Sequence, residues 1–230
     1  MRVFVPLTLV IVTAVAGCGR QAQPVAPKEQ DWFVDRARES GLDFVHVNGM
    51  SGMLYMPEVL APGVALFDFD NDGDLDVYLV QGRPLSSSAG LESKTRPTPS
   101  GDLNGRLFRN DLRVNSDGTR TLRFTDVTRE SGIVTPGYGM GVAAGDFNND
   151  GWVDLYLTKF DAPNQLLRNN GNGTFTDVSK SSGTDLRSWS VSASFVDVNR
   201  DGWLDLYVGN YVRYSLEHST QCFGASGALD

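Results

Sequence analysis

Apolar residues in this chain come in short clusters set between polar, glycine-rich stretches. Val64-Ala-Leu-Phe67, Val142-Ala-Ala-Gly145 and Val191-Ser-Ala-Ser-Phe-Val196 form one set. Leu75-Asp-Val-Tyr-Leu-Val80, Val153-Asp-Leu-Tyr-Leu157 and Leu204-Asp-Leu-Tyr-Val208 form a second. The clusters are brief, β-branched or aromatic, and partly alternating, which predicts strands rather than helices. Members of the two sets pair off along the chain, and a nine-residue polar segment joins each pair. The pattern therefore predicts an all-β chain with three strand–turn–strand hairpins.

The joining segments repeat one chemistry. They read Asp68-Phe-Asp-Asn-Asp-Gly-Asp-Leu-Asp76, Asp146-Phe-Asn-Asn-Asp-Gly-Trp-Val-Asp154 and Asp197-Val-Asn-Arg-Asp-Gly-Trp-Leu-Asp205. Oxygen side chains stand at positions 1, 3, 5 and 9 each time, with glycine at position 6. Alternate residues of a tight loop can direct oxygens inward, and calcium takes six to eight of them. A glycine at position 6 permits the sharp turn, because it has no Cβ to clash at positive φ. Position 7, which is Asp74, Trp152 and Trp203, is then free to give its backbone carbonyl. An EF-hand would need a Glu at position 12 and flanking helices. Leu79, Leu157 and Val208 occupy that position, so the loops are expected to be calcium-binding hairpin turns of another kind.

Other elements recur in step with the loops. Phe33-Val-Asp…Ser40-Gly41, Phe124-Thr-Asp…Ser131-Gly132 and Phe175-Thr-Asp…Ser182-Gly183 share one spacing, and Leu107-Phe-Arg-Asn110 matches Leu166-Leu-Arg-Asn169. Phe124 to Phe175 spans 51 positions, as does Asp146 to Asp197. The first unit is longer, its excess falling in 48–62 and in a Ser/Pro/Gly-rich insertion at 82–105 that reads as a surface loop. A period near fifty with four short strands per unit suits a β-propeller blade, which needs neighbours on both sides. About three blades are expected, too few to close a ring. The chain ends at Gly224–Asp230 without a fourth repeat, which reads as an incomplete propeller.

Composition and the N-terminus narrow the setting. The formal net charge of −8 over 230 residues comes largely from the loops. No basic stripe is present to meet phosphates, so nucleic acid is not an expected partner. Arg2 precedes an apolar run from Val3 to Ala16, too short for a membrane span and matched to a secretory leader. It ends Val15-Ala16-Gly17-Cys18, which looks like a bacterial lipobox; the other reading is an ordinary leader with an incidental cysteine. Residues 1–17 are thus expected to be a lipoprotein signal peptide, 18–31 a flexible tether and 32–230 the repeat region. Lipid on Cys18 would be the chain's membrane contact, and the bacterial cell envelope its location. Cys222 is then left as either a missing disulfide partner or a buried thiol.

These motifs together resemble the FG-GAP/VCBS repeats of integrin-α-like propellers. More narrowly they resemble the N-terminal part of the bacterial ASPIC/UnbV, or cartilage-acidic-protein-like, family. The resemblance runs from about Trp32 to Tyr214. It implies a seven-bladed propeller of which this chain holds a part, and a further cysteine beyond Cys222. It also implies calcium ligands at Asp68, Asp70, Asp72 and Asp76, at Asp146, Asn148, Asp150 and Asp154, and at Asp197, Asn199, Asp201 and Asp205. Carbonyls of Asp74, Trp152 and Trp203 complete the three sites. The first loop, with most carboxylates, is expected to bind most tightly, and Arg200 to weaken the third.

About three structural calcium ions are therefore the expected cofactor. A catalytic metal needs an open coordination position, which these loops do not indicate. Histidine occurs only at 46 and 218, and no hydrolase or phosphate-cradling motif appears. His46, in Phe44-Val-His-Val-Asn48, reads as an exposed strand histidine. Asn172-Gly-Thr174 matches a glycosylation sequon but reads better as a turn. Trp152, Trp189 and Trp203 are expected to pack between blades. The expected function is a non-enzymatic binding or adhesion scaffold for a protein or polysaccharide, with the 82–105 insertion as contact region. The alternative is the propeller part of a secreted enzyme of polysaccharide or redox metabolism.

Overall fold

A computed structural model describes residues 33–53, 55–85 and 103–218. The expected leader and tether with Cys18, most of the 82–105 insertion, and Cys222 lie outside the described residues. The chain divides into two compact parts, Met1–Asp35 and Arg36–Asp230. In the first, Phe33–Asp35 has no regular structure and is exposed.

The second part is built of antiparallel strands arranged as successive repeat units. A four-stranded sheet runs in the order β1 (Val64–Phe67), β2 (Asp76–Leu79), β3 (Arg106–Asn110) and β6 (Phe124–Asp126). A short ribbon of β4 (Arg113–Val114) and β5 (Arg120–Thr121) sits between β3 and β6 in the chain. A second meander of the same order follows: β7 (Tyr138–Gly145), β8 (Asp154–Pro163), β9 (Gln165–Asn169) and β10 (Phe175–Asp177). A third begins as β11 (Arg187–Val196) and β12 (Asp205–Asn210). The start of β11 also pairs with the end of β8, so the last two groups form one six-stranded sheet.

Burial explains the partial alternation of the sequence. β1 alternates exposed and buried positions, as a strand with one solvated face should. β8 is buried without a break from Asp154 to Phe160, so both of its faces are covered. β7 owes its small residues to its place between two other strands. Gly63 donates its N–H to the Met140 carbonyl at 2.8 Å on the β1 side. On the β11 side a Cβ at Gly141 would collide with the Val191 carbonyl, and one at Gly145 would lie 2.9 Å from the Phe195 ring. The main core lies between the first two sheets, where Phe67, Phe69, Tyr78, Leu107, Leu155, Leu157, Leu167 and Phe175 pack together. Each fully buried side chain of this kind contributes about 1.5–3 kcal/mol. A second cluster stacks Phe160, Trp189, Tyr211 and Tyr214, with Phe160 and Trp189 edge to face at 5.1 Å.

Several expectations need correction. The Ser-Gly pairs close one-turn helices, which the strand reading did not anticipate: α1 (Ala37–Ser40), α3 (Thr128–Ser131) and α4 (Ser179–Ser182). Gly41, Gly132 and Gly183 follow them with φ of 94°, 71° and 71°, the left-handed cap that glycine takes without strain. Another helix, α2 (Met56–Val59), lies in the first unit's extra length. Phe44–Asn48 is not a strand but an irregular segment held by Gln81, which accepts from the Val47 N–H and donates to the Val45 carbonyl. His46 is half-buried rather than exposed, and both ring nitrogens are buried without a hydrogen-bond partner. Burial lowers its pKa, against a smaller opposing pull from the Val80 carbonyl. Of the tryptophans expected between blades, Trp189 is buried and Trp152 half-buried, whereas Trp203 is exposed. The third unit has, among the described residues, no strand on the far edge of β12. Tyr207 is accordingly 73% exposed, where Tyr78 and Tyr156 at the same repeat position are 1% exposed.

Candidate metal centre

Each acidic nonapeptide is the turn between the first two strands of its unit, as the pattern predicts. In the first loop, both oxygens of Asp68 face the chain ahead of it. Oδ1 accepts from the Asp72 N–H at 3.1 Å and Oδ2 from the Gly73 N–H at 2.9 Å. Asp72 Oδ1 in turn accepts from the Asp74 N–H at 2.9 Å. These bonds curl the loop so that its carboxylates converge. Gly73 takes a φ of 89° at the bend, and Asn71 sits in the left-handed region at 58°.

Asp76 closes the loop from the first residue of β2. It is wholly buried, with Oδ2 accepting from the Phe69 N–H at 2.9 Å and Oδ1 from the Asn110 N–H at 2.8 Å. Burial nonetheless pushes its pKa up to about 6, because those two bonds replace only part of the lost hydration. Ligand oxygens of Asp68, Asp70 and Asp76 all lie within 4.8 Å of one another. Asp70 Oδ1 is buried and has no donor. The Asp70 pKa is raised first by desolvation and then by the charges of Asp72 and Asp68. Three converging carboxylates with an unpartnered buried oxygen fit a hard cation, which would relieve their repulsion. This acidic triad can hold a metal ion.

The second and third loops repeat the frame with one change. Asp146 accepts from the N–H groups of Asp150 and Gly151 at 3.1 and 2.8 Å, and Asp197 from those of Asp201 and Gly202 at 3.1 and 2.9 Å. At position 3 stands Asn148 or Asn199, which donates to Asp150 Oδ2 at 2.8 Å or Asp201 Oδ2 at 2.9 Å. An amide thus neutralises locally what Asp70 and Asp72 leave in conflict. Asp154 is buried like Asp76, accepts from the Phe147 and Asn169 N–H groups at 3.1 and 2.7 Å, and is likewise raised by burial to about 6. Asp205 accepts from the Val198 N–H at 3.1 Å but is exposed. Trp152 and Trp203 donate their backbone N–H groups to Asp150 and Asp201 at 2.9 and 2.8 Å. Arg200 is exposed and left-handed at 64°.

Two sets of residues contribute without having been anticipated. Asn110 and Asn169 end the Leu-x-Arg-Asn strands and give position 9 its second donor. Asn169 also donates its side-chain N–H to the Phe69 carbonyl at 2.8 Å, tying the second unit to the first loop. Their recurrence in the motif was the available signal. Asn71 and Asn149, at position 4, each reach into the following loop. The expected turn at Asn172 is present, with the Thr174 N–H donating to Asn172 Oδ1 at 3.1 Å.

The model of a family described as FG-GAP-like repeat matches residues 146–208, the stretch holding the second and third loops. Residues 146–208 therefore read as FG-GAP-like repeat sequence. The chain is similar to cartilage acidic protein 1 of Mus musculus, at 34% identity over 91 residues, 39% of this chain and 14% of that protein. The Xenopus tropicalis protein of the same name is 33% identical over 88 residues, 38% of this chain and 14% of the relative. The Homo sapiens protein is 33% identical over 91 residues, 39% and 14%. The chain thus covers 14% of the length of each of these relatives.

Proposed function

We propose that the chain is a calcium-stabilised part of a β-propeller that works outside the cytoplasm as a binding scaffold. The convergence of Asp68, Asp70 and Asp76, with Asp70 Oδ1 buried and undonated, carries the calcium reading. Asp72 and the Asp74 carbonyl complete the first site. Asp146, Asn148, Asp150 and Asp154 with the Trp152 carbonyl form the second, and Asp197, Asn199, Asp201 and Asp205 with the Trp203 carbonyl the third. Calcium supplies charge that offsets carboxylate repulsion and locks the turn; its role is structural. The first loop holds the most carboxylates and binds tightest.

The propeller reading is supported by three units of like strand order, set so that β7 lies between β1 and β11. Rigid sheets that present loops suit recognition of a protein or polysaccharide. The pattern Val15–Cys18 supports export and lipid attachment, with Cys18 as the membrane anchor at the cell envelope. A non-catalytic role is favoured because the carboxylates already serve as main-chain acceptors in the turns.

Calorimetric titration of metal-free protein with calcium tests this reading. About three ions should bind, and Asp70→Ala should remove the tightest class. Absence of any saturable uptake by the native chain would contradict it.

A further inference from the structure

In the first two loops the position-4 side chain reaches into the loop that follows. Asn71 donates its side-chain N–H to the Gly151 carbonyl at 3.0 Å, and Asn149 donates to the Gly202 carbonyl at 2.8 Å. Both asparagines are left-handed, at 58° and 56°, a conformation that aims the side chain at the next loop and that Asn tolerates better than most residues. The accepting carbonyl belongs in each case to the peptide between positions 6 and 7. The N–H of that same peptide donates to the position-5 carboxylate, Trp152 N–H to Asp150 and Trp203 N–H to Asp201. One peptide plane is therefore held at both ends: its carbonyl by the preceding loop, its N–H by the aspartate of its own. Gly151 and Gly202 sit at φ of 87° and 89°, and a glycine there gives the plane little resistance to rotation once the carbonyl is released.

We propose that Asn71 and Asn149 are positioning residues that couple the loops in order, the first setting the second and the second setting the third. Each fixes the peptide that orients the position-5 aspartate of the following loop. The proposal rests on the calcium reading only for its consequence: a loop whose neighbour is ordered has its position-5 carboxylate already in place for a cation.

Amide hydrogen exchange on the metal-free full chain tests the coupling directly. Asn71→Gly keeps the left-handed backbone and removes the donor. It should speed exchange of the Gly151 and Trp152 amides by roughly threefold to tenfold, the range expected for one lost hydrogen bond. Trp203 and the core amide of Tyr156 should be unchanged. Asn149→Gly should act on Gly202 and Trp203 and spare Trp152. Asn71→Asp, which lacks the donor and sets a carboxylate against the Gly151 carbonyl, should speed Trp152 exchange at least as much as Asn71→Gly. Equal exchange in variant and native chains, or uniform acceleration that includes Tyr156, would overturn the proposal. With calcium added, protection of the loops in the native chain tests the cation reading separately. If calcium protects them while Asn71→Gly leaves Trp152 untouched, the coupling fails and the cation reading stands. If Asn71→Gly acts and calcium does nothing, the reverse holds.

Discussion

Lys159 carries an amine into the core. It is 2% exposed and donates to the Pro136 carbonyl at 2.6 Å and to Gln165 Oε1 at 2.5 Å. Burial lowers its pKa to about 8, with Asp177 pulling the other way and Arg83 adding to the fall. The unfolded chain holds this proton up to its ordinary 10.5. Between pH 8 and 10 the unfolded state therefore binds more protons than the folded one, and stability rises with pH. Above pH 10 the buried phenols of Tyr78 and Tyr138, both raised, act in the opposite sense. Urea unfolding should show a gain of about 2 kcal/mol from pH 8 to 10, flattened in Lys159→Met. An unaltered slope in that variant would assign the effect elsewhere. None of this was legible in the sequence, where Lys159 is one charge beside Phe160. Its burial follows from β8 being covered on both faces.

At the scale of elements, the spacing of β7 from its neighbours depends on its missing side chains. Gly141→Ala would place a methyl group into the Val191 carbonyl and force β7 from β11. The expected cost is about 1–3 kcal/mol in urea unfolding, the range for an overpacked site. A neutral result would mean that the two strands can part without loss. The paired strands and the turns between them were readable, because nine-residue loops and their apolar flanks are local signals. The one-turn helices were not, since four residues are too few to show a helical period. Asn71 and Asn149 also escaped notice, because their partners lie 80 and 53 residues away. His46 is half-buried because alternation in Phe44–Asn48 arises from packing against Gln81 and Gly82, without a ladder.

At the scale of the molecule, three acidic turns hold the ends of the first two strands in three successive units. The carboxylates that fasten these turns oppose one another when no cation is bound. Asp76 and Asp154 are fully buried and raised to about 6. A ligand that binds only the folded state must stabilise it by mass action. The sequence located these loops correctly, yet it did not show that Asp76 and Asp154 are buried while Asp205, Trp203 and Tyr207 stand exposed, since that depends on whether a further strand lies beside the second strand of each unit. The decisive measurement is thermal unfolding of the chain in excess chelator and in millimolar calcium. At calcium a hundredfold above the dissociation constant, one site adds about 2.7 kcal/mol, so the melting temperature should rise by several degrees, and magnesium should not reproduce the full shift. Superimposable melting curves with calcium and with chelator would contradict the account.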